Sequence, residues 1–399
     1  MTLFSDLALA PADPILGMTD LFLADTRADK ANLGVGVYQD ESGKLPLMEA
    51  VRQALDVMAV NPKPYNYLPI DGDATYDGAV AKMVLGPDHP AVTGGLAVSV
   101  QTLGGSGALK VGGDFLHAIG ATTVLLSDPS WDNHAAILGG AGLKVGYYHY
   151  YDPTHRCVDF DGMLDDLRVA EPGTVVLLHG CCHNPTGYDL TRDQWDKVLD
   201  VVAAGKLIPF VDMAYQGLAE SPDADAYAIR EAARRGLLTL CANSFSKIFG
   251  LYGERVGGLT MIAASPDEAK RVRSQVKLSV RANYSSPPTH GSAIVNTVLA
   301  SDELTSLWAG EVAVMRDRIK AMREGLADGL RAAGVTDDLS YITTQRGMFS
   351  YSGLTKQQMV RLREEFAVYG VENGRLCMAA LNHTNLPVVI KGIAAVMQA

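Results

Sequence analysis

Leu237-Leu238-Thr239-Leu240-Cys241 is a short apolar run, and it is followed almost at once by Asn243-Ser244-Phe245-Ser246-Lys247-Ile248-Phe249-Gly250. The length and composition of the run suit a buried strand, so the polar residues after it fall at a strand end. The same alternation extends outward on both sides. Strand-like runs at Leu96 to Leu103, Thr123 to Ser127, Leu143 to Tyr148, Thr174 to Leu178, Leu207 to Val211 and Val256 to Ile262 are separated by amphipathic segments. Strands alternating with helices predict an α/β domain with a mainly parallel sheet. In such sheets ligands bind at the carboxyl ends of the strands.

A lysine at that edge, beside Ser244 and Ser246 and eight residues before Arg255, fits an amine that forms a Schiff base, with phosphate donors close by. Pyridoxal 5'-phosphate is the cofactor with that chemistry. Taken alone the stretch also fits a solvated turn. It also satisfies the Ser-x-x-Lys pattern of serine acyl-transferases, but the Ser-Asp-Asn and Lys-Thr-Gly elements of that mechanism are absent.

Three other stretches could serve the lysine. Leu96 to Leu103 runs into Gly104-Gly105-Ser106-Gly107 and then into a helical pattern (Leu109, Val111, Phe115, Ile119), which makes an anion site at a helix N-terminus. A dinucleotide fingerprint fails there, because Lys110 occupies the place of the third glycine. Asp212 ends its strand, and a buried carboxylate wants a cationic partner such as a protonated pyridine nitrogen; capping the next segment is the plainer alternative. His179-Gly180-Cys181-Cys182-His183-Asn184-Pro185-Thr186-Gly187 has metal-ligand residue types, but adjacent cysteines on an extended chain point to opposite faces, so no metal site is expected. Asn184-Pro185 reads as a tight turn.

The 399 residues suggest two domains, and 48% hydrophobic with 20% charged residues describe a globular protein. A net charge of -11 argues against nucleic acid or an anionic membrane as partner. Five cysteines without a regular framework, no basic region before a long apolar stretch and no membrane-length window predict a cytoplasmic protein without disulfides.

Towards the N-terminus, an arm precedes Asp13-Pro14, which is expected to open a helix through Ile15, Met18 and Phe22. Asn32 to Tyr38 is expected as a strand, with Gly34 and Gly36 as candidate pocket wall. A helix through Leu47, Val51, Leu55 and Met58 ends before Asn61-Pro62, and Tyr65-Asn66-Tyr67 lies in a loop. After Pro266 come long helical patterns through Ala269, Val272, Val276 and Val280, and through Val312, Met315, Ile319, Met322 and Leu326. A strand (Tyr341 to Tyr351), a helix (Lys356 to Phe366), a strand (Gly374 to Ala380) and a final helix predict a small α+β domain.

Together, Ser-x-Ser-Lys, His-x-Cys-Cys-His-Asn-Pro-Thr-Gly, Asp212-Met213-Ala214-Tyr215-Gln216-Gly217 and Arg281-Ala282-Asn283-Tyr284-Ser285-Ser286-Pro287-Pro288 resemble the class I aspartate and aromatic aminotransferases, over essentially the whole chain. The resemblance implies the pyridoxal-phosphate-dependent transferase fold. This is a large domain with a seven-stranded, mostly parallel sheet and a small domain from both chain ends, in a homodimer. The boundaries expected are 1–12 for the arm, 13–43 and 316–399 for the small domain, and 44–315 for the large one.

It further implies that Lys247 carries the cofactor and shuttles a proton, that Asp212 pairs with the pyridine nitrogen, and that Asn184 and Tyr215 bond the ring's phenolic oxygen. Trp131 stacks on the ring. Gly105, Ser106, Gly107, Ser244, Ser246 and Arg255 hold the phosphate, with Tyr67 reaching in from the neighbouring subunit as a cofactor and catalytic residue. Arg375 clamps the substrate α-carboxylate, with Gly36, Trp131 and Asn184 alongside, and Arg281 of the other subunit meets a side-chain carboxylate. Stretches such as Gln101-Thr102-Leu103-Gly104 and Arg346-Gly347-Met348-Phe349 look like the bacterial aromatic (tyrosine) enzymes, whereas Arg281-Ala282-Asn283 and Ile15-Leu16-Gly17 look like the aspartate enzymes. The expected activity is transfer from tyrosine, phenylalanine, tryptophan and aspartate to 2-oxoglutarate. A strict aspartate aminotransferase and, more distantly, a lyase or decarboxylase are the alternatives.

Overall fold

The structure, a computed structural model, describes residues 4–5, 7–9 and 16–398. Seven apolar runs between residues 97 and 262 form one sheet: β1 (Ala97–Leu103), β2 (Thr123–Asp128), β3 (Lys144–His149), β4 (Val175–His179), β5 (Ile208–Met213), β6 (Thr239–Ser244) and β7 (Val256–Ile262). Their order is β1-β7-β6-β5-β4-β2-β3. Only β7 runs antiparallel to its neighbours. The other six strands therefore end on one edge, and β7 begins there. Asp212 and Ser244 lie within a residue or two of that edge because their strands are parallel neighbours, with Asp212 opposite Ala242.

Both faces of the sheet are covered, which is why the central strands are continuous apolar runs rather than alternating ones. Val175 and Leu177 of β4 pack with Leu109 and Val111 of helix α1 (Gly104–Ala118) and Val276 and Val280 of helix α2 (Pro266–Asn283). Val176 and Leu178 pack on the opposite face with Trp195, Val198 and Val202. A Cβ at Gly112 would stand 2.5 Å from the Phe210 ring, so glycine is what lets α1 lie this close to β5.

The 31-residue helix α3 (Asp302–Ala332) starts at a Ser301 cap and buries the expected stripe of Val312, Met315, Ile319, Met322 and Leu326. Its Glu311 carboxylate accepts from the Glu49 and Ala50 N–H groups, closing the start of the Glu49–Val60 helix, which has no side-chain cap of its own. The two chain ends meet. Ala31–Asn32 pairs in parallel with Val368–Tyr369, while Phe349–Tyr351 pairs antiparallel with Arg375–Cys377. Among the described residues all five cysteines are free, and no helix is long and apolar enough to cross a membrane.

Several sequence expectations need correction. Residues 341–351 are not one strand: Ser340–Thr344 is a helical turn, started by Asp338 accepting from the Ser340 N–H, and only Phe349–Tyr351 is extended. Burial of Tyr341 and Ile342 outweighs the strand preference of Ile342-Thr343-Thr344. Residues 374–380 divide into a strand, Arg375–Cys377, and a 3-10 turn, Met378–Ala380. Beyond Asn32 the strand expected to Tyr38 becomes irregular, because its backbone bonds sideways to Tyr369, Cys377 and the Arg375 side chain. Thr239–Ser244 begins two residues later than Leu237, and Leu238 is left 42% exposed. Leu47 and Ile119 are likewise exposed rather than on helix faces. The helix containing Met18 and Phe22 spans Leu16–Ala24; Asp13, Pro14 and Ile15 lie outside the described residues.

Candidate active site

The ends of β1, β4, β5 and β6 and the start of β7 surround a cavity of about 250 Å³. Asp212 forms part of its base, 7% exposed. Its Oδ2 accepts from His134 Nε2 at 2.9 Å, and the Ser130 hydroxyl meets His134 Nδ1 at 2.9 Å. Burial alone would raise the carboxyl pKa; the His134 hydrogen bond and the positive charge of Lys247 more than offset it, so Asp212 sits below the ordinary value. It is a charged group, and among the described residues only one of its oxygens accepts a hydrogen bond.

Lys247 enters from the turn after β6, with its ammonium nitrogen 5.2 Å from the centre of the Tyr215 ring. Desolvation pushes its pKa down, Asp212 opposes, and Arg255 and Arg375 add to the lowering. Neutral, nucleophilic amine is therefore present at lower pH than on an exposed lysine. Burial, then Asp212, pushes the Tyr215 phenol up, so it remains a hydrogen-bond donor.

One end of the cavity is built for an anion. Helix α1 begins at Gly104, and Gly105 and Ser106 line the cavity with Ser244, Ser246 and Arg255. Arg255 Nη1 donates to Ser246 Oγ at 3.4 Å and to Tyr252 O at 3.1 Å. A Cβ at Gly104 would come within 2.9 Å of that guanidinium, and one at Gly105 within 3.3 Å of the Ser244 Cβ. The glycines hold open the space that first-turn N–H groups face.

At the other end Arg375 is almost buried without a carboxylate. It donates to Asn184 Oδ1 (3.2 Å) and Gly34 O (2.9 Å), lies over the Phe349 ring and leaves Nε without a partner. Asn184 is fixed by a turn whose Cys182 and His183 N–H groups donate to the half-buried Asp189. Trp131 walls one side and meets the His134 ring edge-on; Gly36 walls another against Phe349, where a Cβ would collide at 2.7 Å.

Twelve residues expected from the sequence therefore face one cavity. Three do not line it. Gly107 lies in the first turn of α1 and packs towards Leu103. Tyr67 is 94% exposed in its loop, and Arg281 is exposed near the end of α2, bonded to the Ser285 hydroxyl. The sequence reading missed His134, His179, Leu109, Ala214 and Phe349 as lining or supporting residues. His134 was legible as the histidine three positions after Trp131, one helical turn on. His179 was weighed only as a metal ligand; its ring nitrogens have no partner, and burial, then His134, push its pKa down to about 3. Ligand atoms of His134, His179 and Asp212 lie within 4.8 Å of one another, but His134 uses its nitrogen to hold Asp212. Cys181 Sγ donates to Met213 Sδ at 3.8 Å and Cys182 packs against Gly347, yet the two thiols hydrogen-bond each other: Cys182 sits in a left-handed turn (φ 52°) rather than on an extended chain, so the expected separation onto opposite faces does not hold.

Residues 28–393 match the family model described as aminotransferase class I and II. The chain is 48% identical to an aspartate aminotransferase of Pseudomonas aeruginosa, covering 100% of both chains, and 47% identical to an aromatic-amino-acid aminotransferase of Escherichia coli, covering 96% of this chain and 98% of the other. Among solved structures, the aromatic-amino-acid aminotransferase of Burkholderia pseudomallei, covalently bound to pyridoxal phosphate, superposes with a TM-score of 0.97 at 56% identity, covering 99% of this chain and 100% of the other. A mixed seven-stranded sheet, a lysine and an aspartate at one strand edge and matches of this length agree: the chain belongs to the class I and II aminotransferases.

Proposed function

We propose that the enzyme transfers the amino group of aromatic amino acids and of aspartate to 2-oxoglutarate, using pyridoxal 5'-phosphate held by Lys247. The observation that carries this is one cavity with a poised amine, a charged carboxylate, an anion cradle and a carboxylate-free arginine. The residues fit the cofactor: a side chain at Gly105 would crowd Ser244 and narrow the anion cradle, and among the described residues one Asp212 oxygen has no protein hydrogen-bond donor.

Bound there, the cofactor supplies an aldehyde that condenses with amines and a ring that takes up electron density. Lys247 would hold it through the amine and would carry a proton at the substrate α-carbon. Asp212, steadied by His134, would keep a proton on the ring nitrogen. Asn184 and Tyr215 would donate to the ring oxygen, and Trp131 would stack on the ring. Ser106, Ser244, Ser246 and Arg255 take the phosphate, with α1 N–H groups at Gly105 and Gly107. Arg375 exchanges its contact with Asn184 for a paired contact to the substrate α-carboxylate.

The enzyme is a cytoplasmic homodimer in this proposal, and Tyr67 and Arg281 complete the partner's site. Their exposure and absence from their own cavity support that assignment. The pairing of Ala31–Asn32 with Val368–Tyr369 supports a small domain of residues 13–43 and 316–399 beside a large domain of 44–315, after an arm of 1–12. Steady-state assays with tyrosine, phenylalanine and aspartate as donors test the substrate range. All three should donate to 2-oxoglutarate; transfer from aspartate alone would reduce the activity to that of a strict aspartate enzyme.

A further inference from the structure

The loop that ends in Asp71 and the helix that carries Arg281 are tied by one buried carboxylate. Asp71, 9% exposed, accepts from Lys277 Nζ at 3.0 Å and from Arg273 Nη1 at 3.1 Å, and both cations lie on α2 within eight residues of Arg281. Lys277 is one helical turn from Arg281. Asp71 itself stands four residues after Tyr67, and the Pro69–Gly72 turn is closed by the Gly72 N–H donating to Pro69 O.

A second set of bonds converges on the same point through Gln101, which is completely buried in β1. Its N–H donates to Asp71 O at 2.8 Å, its carbonyl accepts from Tyr284 at 3.0 Å, and its amide donates to Pro288 O at 2.7 Å. The strand, the Tyr67 loop and the end of α2 thus share one anchor. Residues 61–67 beyond it are exposed and lack regular structure, so among the described residues the Asp71 anchor and the packing of Ile70 on the core are what hold the Tyr67 loop. Removing the Asp71 carboxylate leaves Arg273 and Lys277 without their shared partner and frees the loop from α2.

We infer that Asp71 is a positioning residue acting across the dimer: by clamping the Tyr67 loop to the Arg273–Lys277 face of α2, it sets the two groups that this subunit lends to its partner's site. The inference rests on the shared-site reading above. It assigns Asp71 no contact with cofactor or substrate in either subunit.

The test uses co-expressed, differently tagged holoenzyme heterodimers in which one subunit carries Lys247→Ala, leaving a single live site. Asp71→Asn is placed either in the Lys247→Ala subunit, which lends Tyr67 and Arg281 to the live site, or in the subunit that supplies Lys247. The first arrangement should raise KM for aspartate about tenfold and KM for phenylalanine less than about threefold; the second should change either by less than about twofold. Lys277→Met, on a side chain 37% exposed, removes one clamp partner at little risk to folding and should give a smaller shift in the first arrangement only. Arg281→Ala in the same two arrangements is the control. If its loss follows the subunit that supplies Lys247, the shared-site reading falls and the inference falls with it. If Arg281→Ala acts across the dimer while Asp71→Asn and Lys277→Met act equally in both arrangements, the inference alone is overturned.

Discussion

Asp212 and Asp77 are the same residue type at nearly the same depth, 7% and 4% exposed, and their carboxyls move in opposite directions. Asp212 ends a central strand, where His134 donates to it and Lys247 approaches, and it is held below the ordinary value although burial opposes. Asp77 lies in the first turn of the Ala74–Leu85 helix. Neither of its oxygens has a hydrogen-bond partner, Arg273 stands 3.7 Å away, and burial pushes it up to about 8. Burial raises both acids; the donors that the fold brings to each decide the outcome. A strand edge collects residues from distant segments, whereas Asp77 has only its own turn and the edge of the Asp71 clamp.

The comparison breaks if Asp212 can be removed cheaply. Asp212→Ala should lower kcat by about a thousandfold or more, because the carboxylate acts on charge that develops during reaction, while the phosphate cradle keeps the cofactor bound. Steady-state assays at saturating pyridoxal phosphate check this; complete rescue by excess cofactor would mean that Asp212 merely aids binding.

The other half is sharpened by Asp77→Asn, where the effect is smaller and lies in stability. The folded carboxyl titrates at about 8 against an ordinary value of 3.8. Between those values the folded state binds the extra proton, so the stability tied to it is fully present below pH 3.8 and is lost as pH rises through about 8. Asparagine removes that loss. The gain in Tm should be larger at pH 8.5 than at pH 5.5, by at least about 3 °C. An equal gain at both values would mean that Asp77 is ionised in the folded protein throughout.

Much of the Asp212 region was legible because strand ends can be located from apolar runs. Lys247, Asp212 and Gly105 each follow such a run, and parallel packing brings the run ends together whatever their separation in sequence. Arg375 was placed only by resemblance, and Gly36 as a candidate pocket wall on an expected strand. The segment at Gly36 is no strand, and it reaches the cavity because Arg375 donates to Gly34 O and Phe349 packs on Gly36. His134 was hidden because its role is to orient another residue, a relation set by its distance from Asp212 rather than by any local pattern. The error at residues 341–351 has the same origin, since tertiary burial of Tyr341 and Ile342 overrode β-branched preference.

The central claim is that one amine, Lys247, holds the cofactor. Borohydride reduction of the enzyme loaded with pyridoxal phosphate, followed by digestion and mass spectrometry, tests it directly. The account predicts the phosphopyridoxyl mass on the peptide containing Lys247, and none there or elsewhere in Lys247→Ala. Stoichiometric label on another lysine, with Lys247 unmodified, would contradict it.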